Sequence, residues 1–276
     1  MKPIAPTPEI ITSPHNQLIK QIISLKQKKQ RDELGLFVVE GVRLCEDFVA
    51  SDWRGEVCLY TPSSADVPRV DKVLKSLAAE GCRMVQVPEG VFSKAADTEM
   101  PQGILIVAAK RHFAFSDLLP PDSPPLIAVL DGIQDPGNAG VLIRTADAAG
   151  CSGVILTRGC ADLFAAKTVR ATMGSLFHLP VLAGLSHDEL LAALATAALP
   201  VAAAALESAV PYYLSDLTGP LAIAFGNEGQ GLSPALLAAA GCRLVVPQYG
   251  LAESLNVAAA AAVILFEAAR QRRVNL

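Results

Sequence analysis

Three polar segments in the second half of the chain hold the residues best suited to chemistry. Asp135-Pro136-Gly137-Asn138 opens a stretch that continues to Arg144, Thr145 and Asp147. Phe225-Gly226-Asn227-Glu228-Gly229-Gln230-Gly231 follows, and Val246-Pro247-Gln248-Tyr249-Gly250 runs on to Glu253-Ser254-Leu255-Asn256. An arginine among small and apolar residues is costly unless a partner satisfies its charge. A phosphate fits its planar donor fork; an internal salt bridge is the structural alternative. The glycines let backbone approach a ligand closely, and Glu228 among them can hold an arginine or a ligand amine. Asn138 can cap the helix that follows it, and Ser254 or Asn256 the last helix. Capping accounts for one residue of the last pair, not for both with Glu253 beside them.

Other chemistries lack their residues. The glycine order G-x-x-G-x-G is not a dinucleotide fingerprint, and no GK[ST] marks a phosphate loop. A nicotinamide oxidoreductase would need G-x-G-x-x-G after an early strand and an acid about 20 positions on; neither half offers it. The cysteines (45, 58, 82, 151, 160, 242) are scattered and form no CxxC pair. They read as small buried hydrophobes, with no metal site and no disulfide framework.

Each motif starts at or just beyond a strand-like apolar run, and open α/β sheets place their ligands at strand ends. LIAVLD (126–131), GVILT, PVAAAA, LAIAFG and RLVVP are apolar on both faces. Helices are expected between them: about Ala139–Ala149, a short one from Ser233-Pro234, and a closing one over Asn256–Gln271. That pattern predicts a mostly parallel sheet. In the first half, Leu18, Ile22 and Leu25 mark one face of a helix from His15 to about Lys29, capped by Ser13-Pro14. LFVVEG, EVCLY, RMVQV and GILIVAA alternate with helical stretches. We read an α/β domain over 13–110, a linker over 111–125 whose prolines break any regular element, and a second α/β domain over 126–276.

The 276 residues are 51% hydrophobic, which excludes disorder. The longest apolar run, Leu190–Leu206, is divided by Pro200 and is short of the roughly 20 residues that span a bilayer. The first residues lack a continuous apolar leader. No membrane association and a cytoplasmic location are expected. The net charge of −4 is unusual for a nucleic-acid binder, but a few phosphates need only a local positive surface. Lys20, Lys26, Lys28, Lys29 and Arg31 crowd one segment, and Arg144, Lys167 and Arg170 lie in or beside the motifs.

Taken together, DPxNxGxxxRTAxAxG, FGxExxGL and PxxGxxESLNVxxA, in this order, resemble the three motifs of the SpoU/TrmH branch of the SPOUT RNA methyltransferases. Lys167 to Phe177 resembles the family's KxxRAxxGSxF segment, which lies near the active site there. Ser13, Asn16, Ile19, Lys20, Phe37, Glu40 and Gly41 resemble the opening of the small ribosomal-protein-like α/β domain that grips RNA in such enzymes.

The resemblance implies transfer of a methyl group from S-adenosylmethionine to a ribose 2′-hydroxyl of RNA, ribosomal RNA above transfer RNA. It implies a deep trefoil knot in the C-terminal domain and a homodimer through that domain, with the active site completed across the interface. Asn138, Arg144, Glu228, Ser254 and Asn256 would be catalytic. Phe225, Gly226, Asn227, Gly229, Val246, Pro247, Gly250, Ser254 and Leu255 would hold the cofactor. Lys20, Lys28, Lys29, Arg31, Arg43, Lys167 and Arg170 would contact RNA. A non-catalytic ribosome-assembly factor would show damage at Asn138, Arg144, Glu228 or Asn256, and all are present. Ala165-Ala166 and Gln248 depart from commoner family forms without removing a polar group the chemistry needs.

Overall fold

The computed structural model describes residues 9–274. Residues 1–8, read above for a leader, and 275–276, counted in the second domain, lie outside them. The described residues divide into two compact units, one of residues 9–111 with 164–177, the other of 112–163 with 178–274.

The first unit holds β1 (Glu9–Ile10), α1 (Gln17–Ser24), α2 (Lys28–Leu34), β2 (Leu36–Glu40), α3 (Val42–Val49), β3 (Gly55–Tyr60), α4 (Pro62–Ala65), α5 (Pro68–Ala79), β4 (Arg83–Gln86), α6 (Glu89–Ala95) and β5 (Ile104–Ala109). Its sheet runs β1-β4-β3-β5-β2 and is mixed, with β5 antiparallel to both neighbours. The strand β1 begins this unit before residue 13. Ile22 and Leu25 of the expected face are buried against Leu59, Val85, Phe92 and Leu105 together with Ile19, while Leu18 is only partly buried.

The single helix expected over 15–29 is two. Asn16, not Ser13, caps the first, accepting from the Leu18 amide at 2.8 Å. The chain then turns extended at Gln27 before α2, which ends at Gly35 in the left-handed region (φ 66°). Arg31 explains the break. It is buried, and its Nη1 donates to the carbonyls of Leu25 and Lys26 at 2.8 and 2.9 Å. A helix end leaves such carbonyls without partners.

The second unit holds β6 (Leu126–Asp131), α7 (Pro136–Ala149) and β7 (Gly153–Thr157). The next helix, α8 (Ala166–Thr172), packs instead in the first unit, where Phe164 meets Phe37 and Phe177 meets Phe48 and Trp53. The chain then returns through β8 (Val181–Leu185), α9 (His187–Thr196), β9 (Val201–Ala204), β10 (Val210–Pro211), β11 (Leu221–Gly226), α10 (Pro234–Ala239), β12 (Ala240–Val245) and α11 (Val257–Val274).

The seven strands run in the order β10-β12-β9-β11-β6-β7-β8, all parallel. Every residue of β6 and β7 is buried, as a parallel sheet covered on both faces requires. On one face Ile127, Val129, Ala222 and Ala224 pack with Leu190, Leu194 and Leu236; elsewhere α7 and α11 pack together. The stretch read as a linker has structure: Phe115–Leu118 is a 3-10 turn, and Leu118 is buried so tightly that a Cβ on Gly153 would sit 2.5 Å from its Cγ. No helix among the described residues is long and apolar enough to cross a membrane.

Candidate active site

Where β6 meets β11 the strand order reverses direction, and the crevice beyond the strand C-termini at such a switch point is where open α/β sheets bind ligands. Gly226 pairs with Asp131 at that edge. Both following loops fold back on side chains from the motifs.

In the first loop Asp135 caps α7, accepting from the Asn138 amide at 2.8 Å. Asn138 is therefore not the cap that its position suggested, and its side chain is free for other work. Its Nδ2 donates to Glu228 Oε1 at 2.5 Å, and its Oδ1 accepts from Asn256 Nδ2 at 3.1 Å. Asn256 is the cap of α11: its Oδ1 accepts from the amides of Ala258 (2.9 Å) and Ala259 (3.4 Å). An ionised carboxylate only accepts, so Glu228 fixes which way the Asn138 amide points, and that fixes Asn256.

In the second loop Asn227 Oδ1 accepts from Gly229 and Gln230, while its Nδ2 donates to the Gly132 carbonyl at 2.8 Å. Backbone bonds between Asn227 and Gly231 close the turn. Gly226 has no room for a side chain: a Cβ there would lie 2.3 Å from Gly231 C and Leu232 N.

One group at this edge was not anticipated. Asp131 is buried and accepts from Ser233 N (2.7 Å), Thr157 Oγ1 (3.0 Å) and His187 Nε2 (2.7 Å). Burial pushes its carboxyl up, but the bonds from His187, Ser233 and Thr157 outweigh that and hold it below its ordinary value. The strand-end position of an acid in LIAVLD was the available signal.

Beyond these loops lies a cleft of about 770 Å³, within the usual range of small-molecule sites. Phe225, Gly226, Asn227, Glu228, Gly229, Val246, Ser254, Leu255 and Asn256 of the motifs line it. Pro247 and Gly250 do not, and Gly250 is exposed. Ala204 to Glu207, at the end of β9, and Arg243 and Leu244 of β12 complete the wall; these follow from parallel strands ending at one edge, not from any motif. Arg144 does not line the cleft. It stands exposed on α7, with no hydrogen-bond or ion-pair partner among the described residues, so the internal salt bridge considered above is not formed.

The family model for the SpoU rRNA Methylase family matches residues 125–266. The chain belongs to that family. An MRM3-like substrate binding domain matches residues 16–106. The chain is 36% identical over 256 residues to the 23S rRNA (guanosine(2553)-2′-O)-methyltransferase RlmP of Bacillus subtilis (strain 168), covering 93% of this chain and 97% of that protein. It is 29% identical over 272 residues to the 23S rRNA (uridine(2479)-2′-O)-methyltransferase of Streptomyces viridochromogenes, covering 97% of this chain and 94% of that one. The AdoMet-bound rRNA methyltransferase from Sinorhizobium meliloti superposes with a TM-score of 0.85 at 36% identity, over 95% of this chain and 97% of that one.

This SpoU-family chain is an S-adenosylmethionine-dependent methyltransferase. The cleft suits that cofactor. Phe225, Leu232, Leu244, Val246 and Leu255 offer an apolar wall for an adenine, while Glu207, Glu228 and Arg243 put both charges within reach of an amino-acid end. The crowding at Gly226 keeps the loop backbone tight against the strand end.

Of the expected RNA contacts, Lys20 and Lys29 are exposed with no partner among the described residues. Lys28 pairs with Asp32 at 2.5 Å; Lys110 and Lys28 together hold the Asp32 carboxyl down to about 2. Arg43 pairs with Asp47 and Arg170 with Asp97. Lys167 is exposed on α8. Arg31 is withdrawn from the set, because its guanidinium is spent inside the fold.

Proposed function

We propose that the enzyme methylates a ribose 2′-hydroxyl in ribosomal RNA. The bonded set Glu228–Asn138–Asn256 at the cleft carries this reading, together with the ribosomal RNA 2′-O-methyltransferase activities of relatives matched over nearly their whole length. Bound S-adenosylmethionine supplies an electrophilic methyl group, so the chain's own work is alignment and the handling of one proton. Asn138, held from both sides, positions the ribose, and Ser254, exposed on the cleft wall, offers it a hydroxyl. Arg144 grips the adjacent phosphate and steadies charge developing on the 2′-oxygen. A guanidinium is not deprotonated in proteins at working pH, and a neighbouring phosphate strengthens that preference. The hydroxyl proton would therefore pass to water or a phosphate oxygen as the O–C bond forms and the methyl's bond to the sulfonium sulfur breaks, leaving the neutral thioether.

Arg144 reaches its substrate in a homodimer. Val141, one turn away on α7, is 41% exposed, and Phe266 of the helix packed on α7 is 51% exposed. Covering this apolar face with a second copy would carry Arg144 into the interface beside the partner's cleft. The reading also takes in a trefoil knot, which membership of the SpoU family supports, and a cytoplasmic setting where ribosomes are made.

The test supplies methyl-labelled S-adenosylmethionine and separate ribosomal and transfer RNA pools from cells lacking the gene. Label in a 2′-O-methyl nucleoside from ribosomal RNA is expected. Label from the transfer RNA pool alone would move the substrate, and label on a base would overturn the ribose assignment.

A further inference from the structure

The first unit contains a second concave site, about 260 Å³ in volume, that neither the cleft nor the lysines account for. Drug-sized ligands fill ~300–1,000 Å³, so this one suits a single ring system. Its floor is the end of β2. Glu40 is buried there, and its carboxylate accepts from Asp97 N, Thr98 N and Thr98 Oγ1. Those bonds pin the 97–98 backbone that leads into one wall.

Gly41 then turns in the left-handed region (φ 102°), where a Cβ would meet Gln102 Oε1 at 3.3 Å. The same Oε1 accepts from Val42 N at 2.8 Å. That bond fixes the Gln102 amide, and its Nε2 has no hydrogen-bond partner among the described residues.

The mouth is unusual. Met100 is 90% exposed and Met173 44% exposed, both lining the same small hollow. Met173 holds φ at 49°, a conformation that costs a non-glycine residue free energy and persists only where surroundings enforce it. Thioether side chains make favourable contacts with aromatic rings. Arg43 and Arg170 line the same hollow, each joined to one carboxylate by a single nitrogen, Arg43 loosely at 3.4 Å. Each guanidinium therefore keeps most of its five donors.

We propose that this pocket takes one unpaired nucleotide of the RNA substrate. The base enters between Met100 and Met173, Gln102 donates to an acceptor on its edge, and Arg43 and Arg170 hold the flanking phosphates. Two arginines and two exposed, soft stacking surfaces lining one small hollow match a nucleotide in a flexible strand, since RNA is read chiefly where its bases are unstacked. A duplex offers no free base face. The proposal rests on the enzyme's acting on RNA.

The experiment uses the full chain and a short fluorescein-labelled single-stranded RNA of mixed sequence, followed by anisotropy across a salt series. The M100A/Q102A double variant alters exposed side chains, and its melting temperature is checked alongside. It is expected to lose about tenfold in RNA affinity, the scale of one base contact, with its salt slope unchanged. R43A is expected to lower the salt slope by about one. Calorimetric binding of S-adenosylmethionine should match wild type in both.

Wild-type RNA affinity in M100A/Q102A, with RNA bound normally by the parent, would overturn the pocket and leave the methyltransferase reading standing. A parent that binds no RNA would overturn both. Competition by nucleoside monophosphates as strong as by RNA would reassign the pocket to a free nucleotide and overturn the RNA assignment.

Discussion

Asn138 and Asn256 are 118 positions apart and meet through an amide-to-amide hydrogen bond of 3.1 Å. The bond has a direction. It begins at amides of the first turn of α11, passes through both asparagines and ends on the Glu228 carboxylate. Replacing Asn138 with Asp sets two carboxylates against each other where one donor now lies, at nearly unchanged volume. N138D is expected to lower kcat about a hundredfold, the scale of a misplaced reacting group, while the Kd for S-adenosylmethionine changes little. Single-turnover transfer and calorimetry separate the two. Turnover near wild type would show that this set does not position the substrate.

Arg144 gives the opposite expectation for stability. Its side chain has no partner among the described residues, and exposed changes of that kind usually stay within about 0.5 kcal/mol. R144A should therefore melt like the parent and bind cofactor like it, yet lose about 10²–10³ in kcat, the effect of deleting one donor aimed at developing charge. R144K should recover little, because an ammonium lacks the fork. A variant that transfers methyl normally would remove Arg144 from the mechanism.

Much of this site was legible in the sequence because each motif sits where a strand with two apolar faces stops. LIAVLD and LAIAFG became β6 and β11 over the expected residues, and the segments that follow them supplied Asn138, in the first turn of α7, and Glu228. Three things were not legible, for physical reasons. A side chain's partner across 102 positions, as for Asp131 and Ser233, depends on tertiary register. The placement of 164–177 with the first unit depends on Phe164 and Phe177 finding aromatic partners far away in sequence. Asp135 and Asn138 are both good caps by type, and only geometry decides between them.

Gly226 tests whether the cleft depends on close backbone approach. A methyl group there would fall 2.3 Å from two main-chain atoms, which cannot move aside as a side-chain end can. G226A should abolish measurable S-adenosylmethionine binding and lower the melting temperature. Gly229, whose Cβ would come no closer than 3.6 Å to Asn227 Oδ1, serves as the control, and G229A should fold. Equal behaviour of the two variants would show that crowding at Gly226 is not what shapes the loop.

Arg31 and Lys20 separate structural from surface charge within one basic segment. R31A leaves the Leu25 and Lys26 carbonyls without their donor and should cost about 2 kcal/mol, the penalty for an orphaned buried group, read as a shift in urea midpoint. K20A and K29A should leave that midpoint alone and each reduce the salt slope of RNA binding by about one. A stable R31A with a reduced slope would return Arg31 to the RNA surface.

Asp131 ties the ends of β6 and β7 to α9 and to the loop before α10 through one carboxylate. In D131N one oxygen becomes an NH₂ group, which cannot accept from Ser233 N or from Thr157 and His187 together. About 2 kcal/mol of stability should be lost at neutral pH. The folded carboxyl lies below its ordinary value, and an unfolded aspartate titrates near 3.9. A group held down in this way stabilises the fold fully above the unfolded value and loses that contribution as pH falls through the folded one. The gap between wild type and D131N should therefore be constant from neutral pH to about 5 and close progressively below about 4. Urea midpoints measured across that range give the answer. A gap that stayed constant into strong acid would mean that the charge on Asp131 contributes nothing, and that shape alone holds the four elements together.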